Sequence, residues 1–159
     1  MKYNLKEVQP KKPDNISCNY YLPNEELEDK IDVLIVSFYG DYPKGSEGNN
    51  HATFITRNVI SGIIEFNPDA IILDFRELSY SWGNSILDVF EQISFLKDSE
   101  NTKEDPNFPV SIVVSEKSKN GFLSLLIPNN SNELPSWIFE NIDKAIQNAA
   151  IKGKYWLDN

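Results

Sequence analysis

Ala70–Leu87, AIILDFRELSYSWGNSIL, is the stretch whose reading decides the fold. Its first six residues, Ala70–Phe75 (AIILDF), are apolar except for Asp74 and are preceded by Pro68. A run this short and this continuously apolar predicts a strand buried on both faces. The turn Arg76–Asn84 follows. Ser85–Lys97 then predicts a helix, because Ile86, Val89, Phe90 and Ile93 fall on one face, and Ser85 with Asp88 has the spacing of a capping box. Strand, turn and helix in this order make half of a βαβ unit.

The same grammar continues upstream. Asp32–Tyr39 (DVLIVSFY) predicts another buried strand, ending at Gly40. Gly40–Asn50 holds three of the seven glycines and reads as a flexible surface loop. His51–Asn67 predicts a helix with Thr53 as N-cap and Ile55, Val59, Ile60, Ile63 and Ile64 as its apolar stripe, stopped by Asn67-Pro68-Asp69. Residues 1–30 are polar and broken by Pro10, Pro13 and Pro23, with a candidate short strand over Ile16–Leu22.

Downstream, Asp98–Asn107 is a charged connection, and Val110–Ser115 predicts a third strand. After a bend at Lys119-Asn120-Gly121, Phe122–Ile127 reads as a fourth short strand and Asn129–Glu133 as a polar loop. The last helix falls within Pro135–Ile151, with Ile138, Ile142, Ala145, Ile146 and Ala149 on one face and Gly153 as its stop. Its start is open, since Trp137–Phe139 also suits an edge strand with Asn141 capping a shorter helix. The expectation is an α/β fold of βαβ units, a mostly parallel sheet of four to five strands with three main helices. Residues 1–30 form an N-terminal extension and residues 31–159 a single domain.

Charge and composition narrow the function. The net charge of −9 and pI near 4.6 argue against nucleic-acid backbones and anionic lipid surfaces, and favour either plain solubility or steering toward a basic partner. Cys18 is the single cysteine, so an internal disulfide is impossible and a reducing compartment is expected. No run approaches the roughly 20 apolar residues of a membrane span. MKYNLKEVQPKKPD has no apolar segment of the secretory type. A cytoplasmic protein is the expectation.

Ala70–Leu87 resembles the STAS domains of anti-sigma-factor antagonists and sulfate-transporter tails, whose pattern is hhLDLSGVxFhDSSGLxxL. The strand, Asp74, Leu78, Tyr80, the turn and the aliphatic helix start all have counterparts. Val33–Asp41 (VLIVSFYGD) looks like the family's earlier strand and Ile138–Ala149 (IFENIDKAIQNA) like its closing segment, so the likeness spans about Ile31–Ile151. The resemblance implies a regulator that acts by protein contact. Where the family has Asp-Ser-Ser-Gly with a phosphorylatable serine, this chain has Trp82-Gly83-Asn84-Ser85, which puts Asn84 at the phosphorylated position. Crotonases and Clp-type proteases share the strand-turn-helix grammar. Immunity proteins of bacterial toxin systems are similar in size and charge.

Each candidate site has a bland counterpart. His51, the only histidine, could serve catalysis with Ser46 or Ser85 and Asp74, or simply lie at the start of a helix. Asp74 and Glu77 sit where a parallel sheet gathers functional groups, but Asp74 equally suits bonding the amides of Arg76–Leu78 or pairing with Arg76. GDYPKGSEG lacks the order of a phosphate-binding loop, and Asp98–Asp105 that of a calcium loop. One Cys and one His cannot build a zinc site, so no cofactor or metal is expected.

The turn Tyr80, Ser81, Trp82, Gly83, Asn84 and Ser85 carries the interface reading, because Trp and Tyr dominate protein-interface hot spots; equally, Trp82 could fold back over a helix and close the core. Three functions follow. The first is a non-catalytic STAS-like binding module without the phosphorylatable serine. The second is an immunity protein neutralising a toxin, and the third a hydrolase or crotonase-like enzyme.

Overall fold

The structure is a computed structural model that describes residues 1–127 and 133–159. Nine main elements follow in order: β1 (Ile16–Tyr21), β2 (Val33–Asp41), α1 (Asn49–Phe66), β3 (Ala70–Ser79), α2 (Leu87–Asp98), β4 (Val110–Val113), α3 (Lys119–Leu126), β5 (Ile138–Phe139) and α4 (Ile142–Asp158). The strands form one sheet in sequence order, with β1 antiparallel to β2 and β2 through β5 parallel. This is the mostly parallel five-stranded α/β sheet that the alternating elements imply.

The buried strands read as apolar runs because each feeds two cores. From β2, Leu34, Val36 and Phe38 enter the larger core with Ile55, Val59, Val89, Ile93 and Phe122 from α1, α2 and α3. Val33 and Ile35 point the other way, onto Ala145 and Ala149 of α4. In β3, Ile71, Leu73 and Phe75 face the first core, whereas Ala70 and Ile72 face the second. Each fully buried aliphatic or aromatic side chain contributes about 1.5–3 kcal/mol, so shifting β3 by one residue would misplace a whole set of them. β1 obeys the same constraint at lower stakes, with Ile16 buried and Ser17 and Asn19 exposed.

Several boundaries depart from the expectation. β3 runs on through Ser79, where Arg76 had suggested a turn, because Glu77, Leu78 and Ser79 pair with Tyr39, Gly40 and Asp41. α1 starts at Asn49, and Thr53 lies within it, its Oγ1 donating to the Asn49 carbonyl at 3.1 Å. The Gly-rich segment is only in part a loop: Gly40 and Asp41 end β2, and Gly45–Gly48 form a 3-10 turn that leads into α1.

Ser85 caps nothing. A 3-10 turn, Asn84–Ile86, precedes α2, and no side chain caps α2. Gly153 lies inside α4 rather than ending it, at a close approach where a Cβ would meet Ile31 Cγ2 at 2.9 Å. The open choice at the last helix resolves to an edge strand, β5, with the Asn141 side chain accepting from the Lys144 amide at 3.0 Å. Of Asn129–Glu133, all but Glu133 lie outside the described residues.

The clearest correction is Phe122–Ile127, which is not a strand: Phe122–Leu126 belong to α3, with extended Ile127 as its C-cap, making a fourth helix among the described residues. A short apolar run does not distinguish strand from helix. The place beside β4 is taken by β5, and a helical turn delivers Phe122 onto both Phe75 and Tyr80, with ring centroids 4.6 Å apart in each case. Gly121 makes that packing possible: a Cβ there would stand 2.6 Å from the Tyr80 carbonyl oxygen.

In an ordinary helix, Gly→Ala stabilises by up to about 1 kcal/mol. At Gly121 the sign reverses. Gly121→Ala is expected to destabilise by about 1–3 kcal/mol through overpacking, while Ser124→Ala on the exposed side of α3 stays within about 0.5 kcal/mol; urea unfolding of the two variants checks the contrast.

Candidate functional site

Three segments meet at the carboxyl end of β2 and β3. The sheet hands Tyr42 and Tyr80 to this end: the Tyr42 amide donates to the Ser79 carbonyl at 2.8 Å, and the Tyr80 amide to the Lys117 carbonyl at 3.0 Å. Both rings are buried and meet edge to face, centroids 5.1 Å apart at 88°. The Tyr80 hydroxyl donates to the Gly83 carbonyl at 2.8 Å, which folds the following turn back over its own ring. Gly83, at φ 144°, supplies a backbone shape that side-chain-bearing residues rarely adopt.

The turn is clasped to the 3-10 segment before α1. The Gly45 amide donates to the Trp82 carbonyl at 3.3 Å, and the Trp82 indole lies over Gly45, where a Cβ would come within 2.8 Å of the ring. The Ser85 hydroxyl donates to the Asn49 side-chain oxygen. Trp82 nevertheless leaves 56% of its surface exposed, and Ser81 and Asn84 are exposed beside it. The structure thus brings the six expected residues together and divides them. Tyr80 and Gly83 are buried and hold the shape, whereas Ser81, Trp82, Asn84 and the half-buried Ser85 face outward.

Tyr42, Gly45 and Asn49 belong to this site and were missed in sequence. Tyr42 beside a proline in a Gly-rich segment was the available signal, but nothing in sequence pairs residue 45 with residue 82. A groove of about 350 Å³ continues from the turn, between Asp41–Lys44 and Ser79–Ser81, with Lys117 on its wall. Lys117 is bound at 3.3 Å to Glu77. Burial and the Asp88 carboxylate push the Tyr42 phenol up to about 12, and burial pushes that of Tyr80 higher still. Both remain neutral hydroxyls.

The catalytic combination weighed in sequence is not assembled. His51 is buried in α1, not placed on a loose segment, and its Nε2 lies 2.6 Å from the Asn15 side-chain oxygen. Its Nδ1 has no hydrogen-bond partner among the described residues. Nε2 therefore carries the proton and ties the start of β1 to α1. Ser85 bonds Asn49 instead.

Asp74 serves Arg76. Its two carboxylate oxygens accept from the guanidinium at 2.9 and 2.8 Å, from the Arg76 amide at 3.1 Å and from the Ser37 hydroxyl at 3.2 Å. The pair holds the guanidinium above its ordinary pKa, chiefly through that hydrogen bonding. Burial raises the Cys18 thiol to about 12, which leaves it a poor nucleophile. Among the described residues, no three His, Cys, Asp or Glu side chains are placed to hold a metal, and no helix is long and apolar enough to cross a membrane.

No family model matches the chain, and none of the curated proteins matches it. A solved structure does: the crystal structure of an anti-sigma factor antagonist from Mycobacterium paratuberculosis superposes with a TM-score of 0.50 at 12% sequence identity. The match covers 84% of this chain and 94% of that one. The likeness is one of fold, and the chain has the STAS-like fold that Ala70–Leu87 implies.

The buried His51 makes stability depend on pH. Desolvation lowers its folded-state pKa below the ordinary 6.5, so the unfolded chain takes up the proton first. Stability is full above pH 6.5 and is lost as the pH falls from there toward the folded-state value. Urea midpoints measured from about pH 7.5 down to about pH 5 are expected to fall more steeply for the native chain than for His51→Gln.

Proposed function

We propose that this chain is a non-catalytic protein-binding module, a STAS-like regulator whose contact surface is the turn Tyr80–Ser85. The observation that supports this most is the state of Trp82. A large ring is kept more than half exposed, yet its carbonyl, its face and the turn beneath it are all held. An anchor that is ordered before binding loses little conformational entropy on docking. Trp is also the residue most enriched among interface hot spots. Ser81 and Asn84 add exposed hydrogen-bonding groups beside it.

In this reading Tyr80 and Gly83 position the surface, and Trp82 anchors the partner. Asn84 stands where the resembled family has its phosphorylated serine, so this surface is not switched by phosphate at that position. The net charge of −9 favours one variant of the reading, in which the partner is basic and the chain neutralises it, as an immunity protein does a nuclease toxin. Affinity separates the two, with about micromolar binding for a reversible regulator and nanomolar or tighter for a neutraliser. The setting in either case is the cytoplasm, consistent with the lone, unpaired Cys18.

Tagged chain used to capture proteins from its native lysate is expected to retain one specific partner. Trp82→Ala is expected to weaken that complex by at least about thirtyfold, corresponding to about 2 kcal/mol, with an unchanged circular dichroism spectrum. A complex insensitive to Trp82→Ala, Ser81→Arg and Asn84→Arg would place the contact elsewhere.

A further inference from the structure

The charge of the chain is not evenly spread. Residues 1–12 (MKYNLKEVQPKK) hold four of the fifteen cationic side chains and one of the twenty-four acidic ones, so the rest of the molecule is more acidic than the whole. These twelve residues are exposed throughout and belong to no helix or strand. Tyr3, Leu5 and Val8 are 80%, 95% and 74% exposed. Extended, residues 2–6 are amphipathic with period two: Tyr3 and Leu5 share one face, Lys2, Asn4 and Lys6 the other.

On the α4 side of the sheet lies a groove of about 620 Å³ between residues 27–29 and α4. Leu27, Ile146, Ala150 and Ile151 supply apolar wall, and Ile151 is 71% exposed there. Exposed Glu28 and Asp29 form an acidic lip, and exposed Glu25 and Glu26 line the adjoining groove that shares Leu27, with Lys30 the lone cation among residues 25–30. Lys154 closes one end, 3.8 Å from Asp29 and 3.2 Å from Asp158. From Ile146 to Lys154 a helix rises about 12 Å, the span of about four residues of extended chain. Tyr3–Lys6 is such a length.

We propose that residues 2–6 of one copy dock, extended, in this groove of a second copy, so that two chains exchange arms around a two-fold axis. Tyr3 and Leu5 meet Leu27, Ile146 and Ile151, and Lys2 and Lys6 face the acidic lip. The copy's own arm is directed elsewhere. The Arg57 guanidinium on α1 donates to the Lys11 carbonyl at 3.5 and 3.4 Å, holding the base of the arm on the face of the sheet opposite α4. Two short arms bury less area than a standard interface, so the dimer is weak and salt-sensitive. This inference does not depend on the Trp82 surface.

Sedimentation velocity on the full chain tests it. A monomer–dimer equilibrium is expected at low salt, with a dissociation constant at least tenfold higher at high salt, in Lys2→Glu/Lys6→Glu and in Ile151→Asp; that residue is exposed, so the fold survives. A monomer at every concentration, or a dimer indifferent to both variants, overturns the proposal. In a Cys18→Ser background, mixed Leu5→Cys and Gln147→Cys chains are expected to form a disulfide-linked heterodimer under mild oxidation. If the double variant instead closes only within one chain at high concentration, the arm occupies its own groove and the exchange is refuted.

Discussion

A continuous line of aromatic rings joins the interior of this sheet to its carboxyl edge. Phe38 packs on Phe75 at 5.7 Å, Phe75 on Phe122 and Phe122 on Tyr80 at 4.6 Å, and Tyr80 on Tyr42 at 5.1 Å. Aromatic pairs at such spacings contribute about 0.5–1.5 kcal/mol each beyond their burial. More important is what they locate. Phe122 can take its place only if Lys119–Leu126 is a helix, and Tyr80 can join the line only if β3 runs past Asp74 to Ser79. The turn that follows Tyr80 therefore inherits its position from the core, through one ring and one hydroxyl.

The opposite face of the sheet changes character along its length. Near the amino ends of the parallel strands, Val33, Ile35, Ala70 and Ile72 lie under α4. At the next level Ser37 and Asp74, register partners on adjacent strands, replace them and are both buried. A buried carboxylate without partners would be costly. Here the Arg76 guanidinium and the Ser37 hydroxyl satisfy it, with Arg76 two residues along the same strand and on the same face. The geometry answers why an aspartate occurs inside the otherwise apolar run Ala70–Phe75, and the answer is structural.

What could be read in sequence follows how local each constraint is. β2, β3 and β4 were legible because an apolar run bounded by turn residues leaves few alternatives. Ala70–Leu87 carried enough of a pattern to imply the STAS-like fold. Phe122–Ile127 failed for the converse reason: its periodicity suits either element, and the deciding contacts come from Phe75 and Tyr80, more than forty residues away in sequence. The capping box at Ser85 failed likewise, since Asn49, thirty-six residues distant, takes the hydroxyl. At the candidate site, Trp82 stood out by type, but whether it faced outward or closed the core was open in sequence. The clasp formed by Tyr42, Gly45 and Asn49 was not legible, because it depends on β2 and β3 ending side by side.

The clasp also bears on how the proposed binding surface would work. Gly45 and Asn49 immediately precede or begin α1, and Trp82 and Ser85 immediately precede α2, so two helices are joined through one turn. A partner bearing on Trp82 would push on both helix starts at once. Lifting the turn off Gly45 would break the bond from the Gly45 amide to the Trp82 carbonyl and loosen the segment that leads into buried His51. Rigid reception of a partner, with the turn kept as it stands, preserves all of these contacts. Binding at the proposed surface would therefore be better served by complementarity to a preformed shape than by opening of the turn, and affinity gained there would come from what the partner brings rather than from rearrangement of this chain.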